Sequence, residues 1–219
     1  MAQRPVFVAV DFVPYASAWN VEFDYAPGFA DVQQRKNIAA IHEGFARRYP
    51  DRRVLEISSK STQEGGRELS AFSLPKFVAS LGRSVPVECC YQAAKVFEKT
   101  GPHADLLTAS PRDAKRDPRL RSGGRIVAFE FEGTRYPTMP RTAFYDYLYV
   151  QALLENPGLA STVLAYDAFT DIAFNPQRSE NCQARAAALF VGAHRAGRAD
   201  DLRAFGDFLT LYGLARRAS

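Results

Sequence analysis

Hydrophobic and polar positions along the chain fall into short runs of changing period. Residues 5–13 alternate β-branched and aromatic side chains, which predicts a strand, and residues 21–25 predict a second. Pro27-Gly28 marks a turn. From Asp31 the period becomes helical. Ile38, Ile41 and Phe45 share one face, Asp31 and Gln34 have the spacing of a capping box, and Arg47, Arg48 and Tyr49-Pro50 close the segment. Residues 54–57 predict a short strand running into the polar tract Ser58-Ser59-Lys60-Ser61-Thr62, and Gly65-Gly66 breaks the chain before Leu69-Ser70-Ala71-Phe72.

The second half reads as mainly helical. A helix is predicted over 87–99 after Pro86, and another starts at Ser110-Pro111 with proline in its first position. A strand over 125–131 turns at Gly133. A helix capped by Thr142 runs to Asn156 and is stopped by Pro157, and helical segments follow over 159–164, 183–196 and 200–214. With no repeat, low-complexity tract or linker, the pattern predicts an α+β fold, mostly helical around a small mixed sheet. Residues 1–50 are expected as an N-terminal strand and helix extension packed on the main domain, residues 51–219.

Composition narrows the class. The chain has 219 residues, 47% hydrophobic and 24% charged, enough for one substantial core. No apolar run approaches the roughly 20 residues of a membrane span. Asp11 interrupts the early run from Val6 too soon for a signal-peptide core, so a cytoplasmic protein is expected. Cys89, Cys90 and Cys182 form an odd, sparse set without disulfide or zinc spacing, and His42, His103 and His194 are scattered, so neither metal nor cofactor is expected. The net charge is +4. Residues 112–125 alone hold six basic and two acidic side chains, a surplus equal to that of the whole chain. Such a stretch, with proline and two glycines, suits a phosphate-contacting surface, and equally a solvated helix end.

Candidate chemistry lies in four places. On a helix, Glu88, Gln92 and Lys95 stand at i, i+4 and i+7 as one polar stripe, with Tyr91 beside it. A solvent-facing stripe has the same spacing. The small residues around it favour close packing, and an enclosed Lys95 would lose basicity and become an amine able to attack a carbonyl-like carbon. Asp146 shares a face with Tyr149, Val150 and Leu153; a carboxylate there must be paired or protonated, as a structural cap or as a ligand-contacting group. Asp171, Asn181 and Gln183 lie in a loop entering a helix and suit sugar hydroxyls, although Asn181 also suits an N-cap. Ser58, Ser59 and Lys60 follow a strand, where short hydroxyls and an amine can hold a phosphate. Walker, dinucleotide-binding, nucleophile-elbow and zinc-protease motifs are missing from the sequence.

Four segments in order carry a family resemblance. Leu69-Ser70-Ala71-Phe72 is similar to an SNF segment, Pro86 to Lys95 to SVEHAYQAAK, and Ala109 to Lys115 to ASPREAK, followed by Ala152-Leu153 to Asn156-Pro157-Gly158-Leu159. This series, over about residues 56–196, resembles the NADAR (YbiA-like) N-glycosidases. Cys89 stands where the family has histidine, Ala71 replaces the asparagine of SNF, and a late Asp-x-x-Trp-Gly segment gives way to Thr170-Asp171-Ile172 through Asn181-Cys182-Gln183; the N-terminal strands and helix look like an addition. Ile57 to Ser61, Phe144-Tyr145-Asp146 and Asn181 to Ala184 resemble the branch found beside DarT-type DNA ADP-ribosyltransferase toxins.

That resemblance implies an antitoxin glycohydrolase that removes ADP-ribose from guanine in single-stranded DNA, with ADP-ribose as product, in functional pairing with a DarT-type toxin and with no membrane partner. It further implies Glu88 as acid/base, Lys95 as nucleophile or electrostatic stabiliser, and Asp146 as sugar-orienting or second carboxylate. Asp171, Asn181 and Gln183 would bind ribose, Ser58, Ser59 and Lys60 the diphosphate, and Gln92 and Tyr145 the ligand. Tyr91 or Phe72 would stack on a base, and Arg112, Arg116, Arg119 and Arg121 would follow the DNA backbone. An N-glycosidase of small phosphoribosyl intermediates and a non-catalytic ADP-ribose-binding or toxin-neutralising protein are the alternatives.

Overall fold

The computed structural model describes residues 2–177 and 179–215; the outermost residues of the two expected segments, 1 and 216–219, lie outside this range. The chain opens with β1 (Ala2–Ala9), β2 (Ala16–Phe23), α1 (Asp31–Arg48) and β3 (Val54–Glu56), followed by β4 (Pro75–Val78), β5 (Arg83–Pro86), α2 (Val87–Ala93) and β6 (Lys95–Phe97). Then come α3 (Pro111–Arg116), α4 (Arg119–Ser122), β7 (Ile126–Phe131), β8 (Thr134–Tyr136), α5 (Ala143–Glu155), α6 (Pro157–Leu164), β9 (Ala168–Thr170), α7 (Gln183–Arg195) and α8 (Phe205–Phe208). The α+β class read from the pattern holds.

The main sheet has the order β2-β1-β9-β3 and is mixed: β1 pairs antiparallel with β2 and β9, and β3 runs parallel to β9. Its layering follows from the period of two in β1. Val6 and Val8 face α1 with Val21, Ile41 and Phe45, while Phe7 and Ala9 join the larger core formed with α5 and α7. Helix α7 lies close on the sheet because its inner face is Ala184, Ala187, Ala188 and Gly192. A Cβ on Gly192 would stand 2.2 Å from the Tyr15 carbonyl oxygen and 2.4 Å from that of Val10, so only glycine fits.

Several local expectations are corrected. Asp31 is the first residue of α1 and not its cap, since the N-cap is Ala30 without a side-chain bond; the Asp31 carboxylate pairs with Lys60 and Gln34 bonds the Phe29 carbonyl. The helix over 87–99 ends at Ala93, and the chain re-enters as β6, paired with β7. The last helix is broken into 3-10 turns around the four residues of α8. The sequence pattern gives no sign of the β4–β5 hairpin, β8 or β9. The α3 start is as expected: the Ser110 side chain accepts from the Asp113 N–H, with proline next in line. No helix among the described residues is long and apolar enough to cross a membrane.

Candidate active site

Helix α2 is two turns long and buried along its whole length. Its entry is tied down by the N–H groups of Val87 and Glu88, which donate to the carbonyls of Leu74 and Ala71 at 3.0 and 2.8 Å. Two polar side chains are thereby taken inside, Glu88 and Gln92, each 5% exposed. Buried polar groups require partners, and these two satisfy each other: Gln92 Nε2 donates to Glu88 Oε1 at 2.8 Å, and Lys95 Nζ donates to Gln92 Oε1 at 2.7 Å. The sequence placed Lys95 two helical turns from Glu88. The structure brings it to the same amide from the first residue of β6, where Lys95 pairs with Phe129. The convergence is real, and its geometry is a helix end turning into a strand.

Loss of water pulls the Lys95 amine down to about 8; Glu88 opposes this and Lys115 adds to it. Lys95 Nζ also lies 4.6 Å from the centre of the Tyr91 ring. Lys115, on α3, brings its ammonium to 3.8 Å from Glu88 Oε1 and 5.2 Å from the centre of the Phe72 ring. In the sequence Lys115 belongs to the basic run and ends the ASPREAK-like segment, and neither gives it a place in the site. Its clue was the helical neighbour Ala114, which is wholly buried and turns this helix edge inward.

These groups open into a cleft of about 770 Å³, lined also by Ser58, Ser59, Phe72, Tyr145, Asp171, Asn181 and Gln183. That volume lies in the range of roughly 300–1,000 Å³ typical of small-molecule and cofactor sites. Asp171 follows directly on β9. Its Oδ1 accepts from the Ala173 N–H at 3.0 Å, and burial, reinforced by neighbouring Glu56, pushes its carboxyl up to about 7. Glu56 is buried behind it, accepting from Thr170 Oγ1 at 2.6 Å and the Ile172 N–H at 2.9 Å; burial raises this carboxyl too. Nothing in the sequence pattern had singled out Glu56, which reads as one acidic residue within a short strand.

Other expected site residues are placed differently. Asp146 is fully buried and does not line the cleft; its carboxylate is bound by Arg185 of α7 and by the Tyr212 hydroxyl. It is thus paired, as burial requires, and it braces α5 against α7. Lys60 also stands outside the lining, in an ion pair of 2.6 Å with Asp31. Gln183 lines the cleft, donating to the Ile57 carbonyl at 2.7 Å and accepting from the Ala71 N–H at 2.6 Å, and its amide also hydrogen-bonds Asp171. Tyr91 is packed among Phe129, Phe144 and Tyr145, with its hydroxyl receiving the Asn181 amide at 2.6 Å, so its ring offers no free face to a base. Asn181 is not the N-cap of α7, which is Cys182. Of the four arginines, Arg119 is held by Asp105 and Asp117 at 2.6 and 2.8 Å, whereas Arg112, Arg116 and Arg121 are exposed.

The N-terminal elements share in the site. Arg4, Phe23, Phe29 and Asn37 line the same cleft as the residues of α2 and α3. Comparison with curated proteins finds no match. The family described as DarT1-associated NADAR antitoxin matches residues 2–218, which includes the N-terminal strands and helix that looked like an addition. With that span taking in nearly the whole chain, the cleft residues of the N-terminal elements included, the chain belongs to the DarT1-associated NADAR antitoxins.

Proposed function

We propose that this antitoxin acts as an N-glycosidase that removes ADP-ribose from guanine in single-stranded DNA. NADAR proteins are N-glycosidases in general, which supports a hydrolase. The observation that carries the reading is the enclosed chain Glu88–Gln92–Lys95, in which one amide holds a carboxylate and a weakened amine at the floor of a cofactor-sized cleft.

The bond to be broken joins the anomeric carbon of the ribose to a base nitrogen. Its electron pair leaves with the nitrogen, which must gain a proton, and the carbon must gain a nucleophile. In this reading Lys95 attacks C1 as the C1–N bond breaks and the base nitrogen leaves with a proton; the C1–O4′ bond of the ribosyl-lysine then opens, O4′ taking a proton that the amine sheds, to give the imine; water adds to the imine, expels the amine and releases ADP-ribose. An amine with a pKa near 8 is roughly one-tenth neutral at pH 7, far more than an ordinary lysine. Glu88 moves the proton of the attacking water. Asp171, protonated in part at neutral pH, takes the second-carboxylate role expected of Asp146 and gives its proton to the leaving nitrogen. Lys115 and Ser59 face the diphosphate, and Asn181 the ribose.

The reading is tested by incubating the protein with a single-stranded oligonucleotide carrying ADP-ribosyl-guanine, and separately with a phosphoribosyl-pyrimidine nucleotide. Release of ADP-ribose and recovery of the unmodified oligonucleotide is the expected result. Turnover of the free nucleotide alone, or tight binding of the oligonucleotide without turnover, would contradict it.

A further inference from the structure

We propose that Phe29, at the mouth of the cleft, is the platform on which the nucleobase next to the modified guanine stacks, so that this residue sets the preference for a DNA strand over an isolated nucleoside. The inference rests on the glycohydrolase reading above and adds to it a subsite for the flanking base.

Of the aromatic rings lining the cleft, Tyr25 and Phe29 are the exposed ones among the described residues, Phe29 at 93%. The other rings are taken: Phe23 and Tyr145 are buried, Tyr25 stands edge-on against Phe23, Tyr91 is enclosed by neighbouring rings and Lys95, Phe72 has the Lys115 ammonium over its face, and Phe174 packs edge-on against Phe7. Exposure of a single apolar side chain is common and means little by itself. Here the backbone beneath it is clamped. Asn37 of α1, itself buried, accepts from the Ala26 N–H at 2.7 Å and donates to the Ala26 carbonyl at 2.9 Å, the two bonds a neighbouring strand would make. Gln34, one turn earlier, donates to the carbonyl of Phe29 at 2.9 Å. Two amide side chains of α1 thus fix the loop while the Phe29 ring stays uncovered.

An aromatic face held in this way suits a flat, π-faced ligand, and stacking on it tolerates any base. The adenine of ADP-ribose is a second source of such a face. The flanking base is favoured because Glu88, Lys95 and Asp171 draw the ADP-ribose into the enclosed part of the cleft, whereas Phe29 stands in solvent at its opening, where a strand must continue.

The test compares Phe29→Ala, Phe29→Leu and Phe29→Trp on the modified oligonucleotide and on ADP-ribosyl-guanosine. The expected result is a KM for the oligonucleotide roughly 5- to 150-fold higher in Phe29→Ala, an unchanged kcat, a similar loss in Phe29→Leu, rescue in Phe29→Trp, and no change on the nucleoside. Equal losses on both substrates would assign the ring to the adenine, and no loss on either would remove it from recognition; both results overturn the proposal. A separate readout uses an unmodified oligonucleotide with 2-aminopurine beside guanine. Its fluorescence should be quenched on binding the unaltered protein and not on binding Phe29→Ala. This holds whether or not the protein turns over, so a failure of the glycohydrolase reading is told apart from a failure of the stacking site; equal quenching by both proteins would overturn the stacking site.

Discussion

Lys95 and Asp171 are perturbed by the same cause, loss of water, in opposite directions: the amine down to about 8 and the carboxyl up to about 7. If the amine must be neutral and the carboxyl protonated, kcat/KM falls on the acid side as Lys95 gains its proton and on the alkaline side as Asp171 loses its own, which predicts a bell centred between about 7 and 8. Asp171→Asn should remove the alkaline limb and slow turnover roughly 10²–10⁴-fold. The same substitution should change stability with a definite sign. A carboxyl whose folded pKa is raised above its ordinary 3.8 costs stability progressively as pH rises through that range, in full above about 7. Thermal denaturation at pH 8 should therefore show Asp171→Asn to be the more stable protein, with the advantage gone near pH 3. Of these side chains, the sequence pointed to Glu88, Gln92 and Lys95 through spacing and small neighbours. It could not separate Asp146 from Asp171, because both are acids near apolar residues and the difference lies in a distant cation, Arg185, thirty-nine positions along the chain.

At the level of elements, the site is positioned by close approaches and short strands. Helix α7 reaches the sheet through Gly192, and Gly192→Ala should cost about 1–3 kcal/mol by overpacking against two backbone carbonyls, measured by urea denaturation. Long periodic segments were legible: α1, α5 and α7 appear within a residue or two of their expected bounds. The missed elements have physical reasons. Ala94-Lys95-Val96-Phe97 continues a helical pattern locally, yet pairing with β7 takes Lys95 to Phe97 into a strand, and the Glu130 N–H caps the turn by donating to Ala94 O at 2.7 Å. Strand β9 is three residues long, too short to show a period, and exists because β1 and β3 bond it from both sides.

At the scale of the whole molecule, the cleft is shared: residues of α2 and α3 line it together with residues of β1, β2 and α1. The exposed Arg112, Arg116 and Arg121 offer a cationic approach on the α3–α4 side. If they follow the DNA backbone, replacing all three with alanine should reduce the salt slope of single-stranded DNA binding by about 0.7 per lost contact. Arg119→Ala should leave the slope unchanged, because its guanidinium is already neutralised by Asp105 and Asp117. Charge alone presents the basic segment as a unit; which of its arginines are exposed depends on the fold placing Asp105 beside Arg119.

Glu88, the carboxylate that shares an amide with Lys95, is the group on which turnover most directly depends in the proposed reaction. Single-turnover release of ADP-ribose from a guanine-modified oligonucleotide, compared between the unaltered protein and Glu88→Gln at matched thermal stability, addresses it directly. The prediction is a loss of roughly 10²–10⁴-fold with binding of the oligonucleotide retained. Release at a near-normal rate by Glu88→Gln would contradict it.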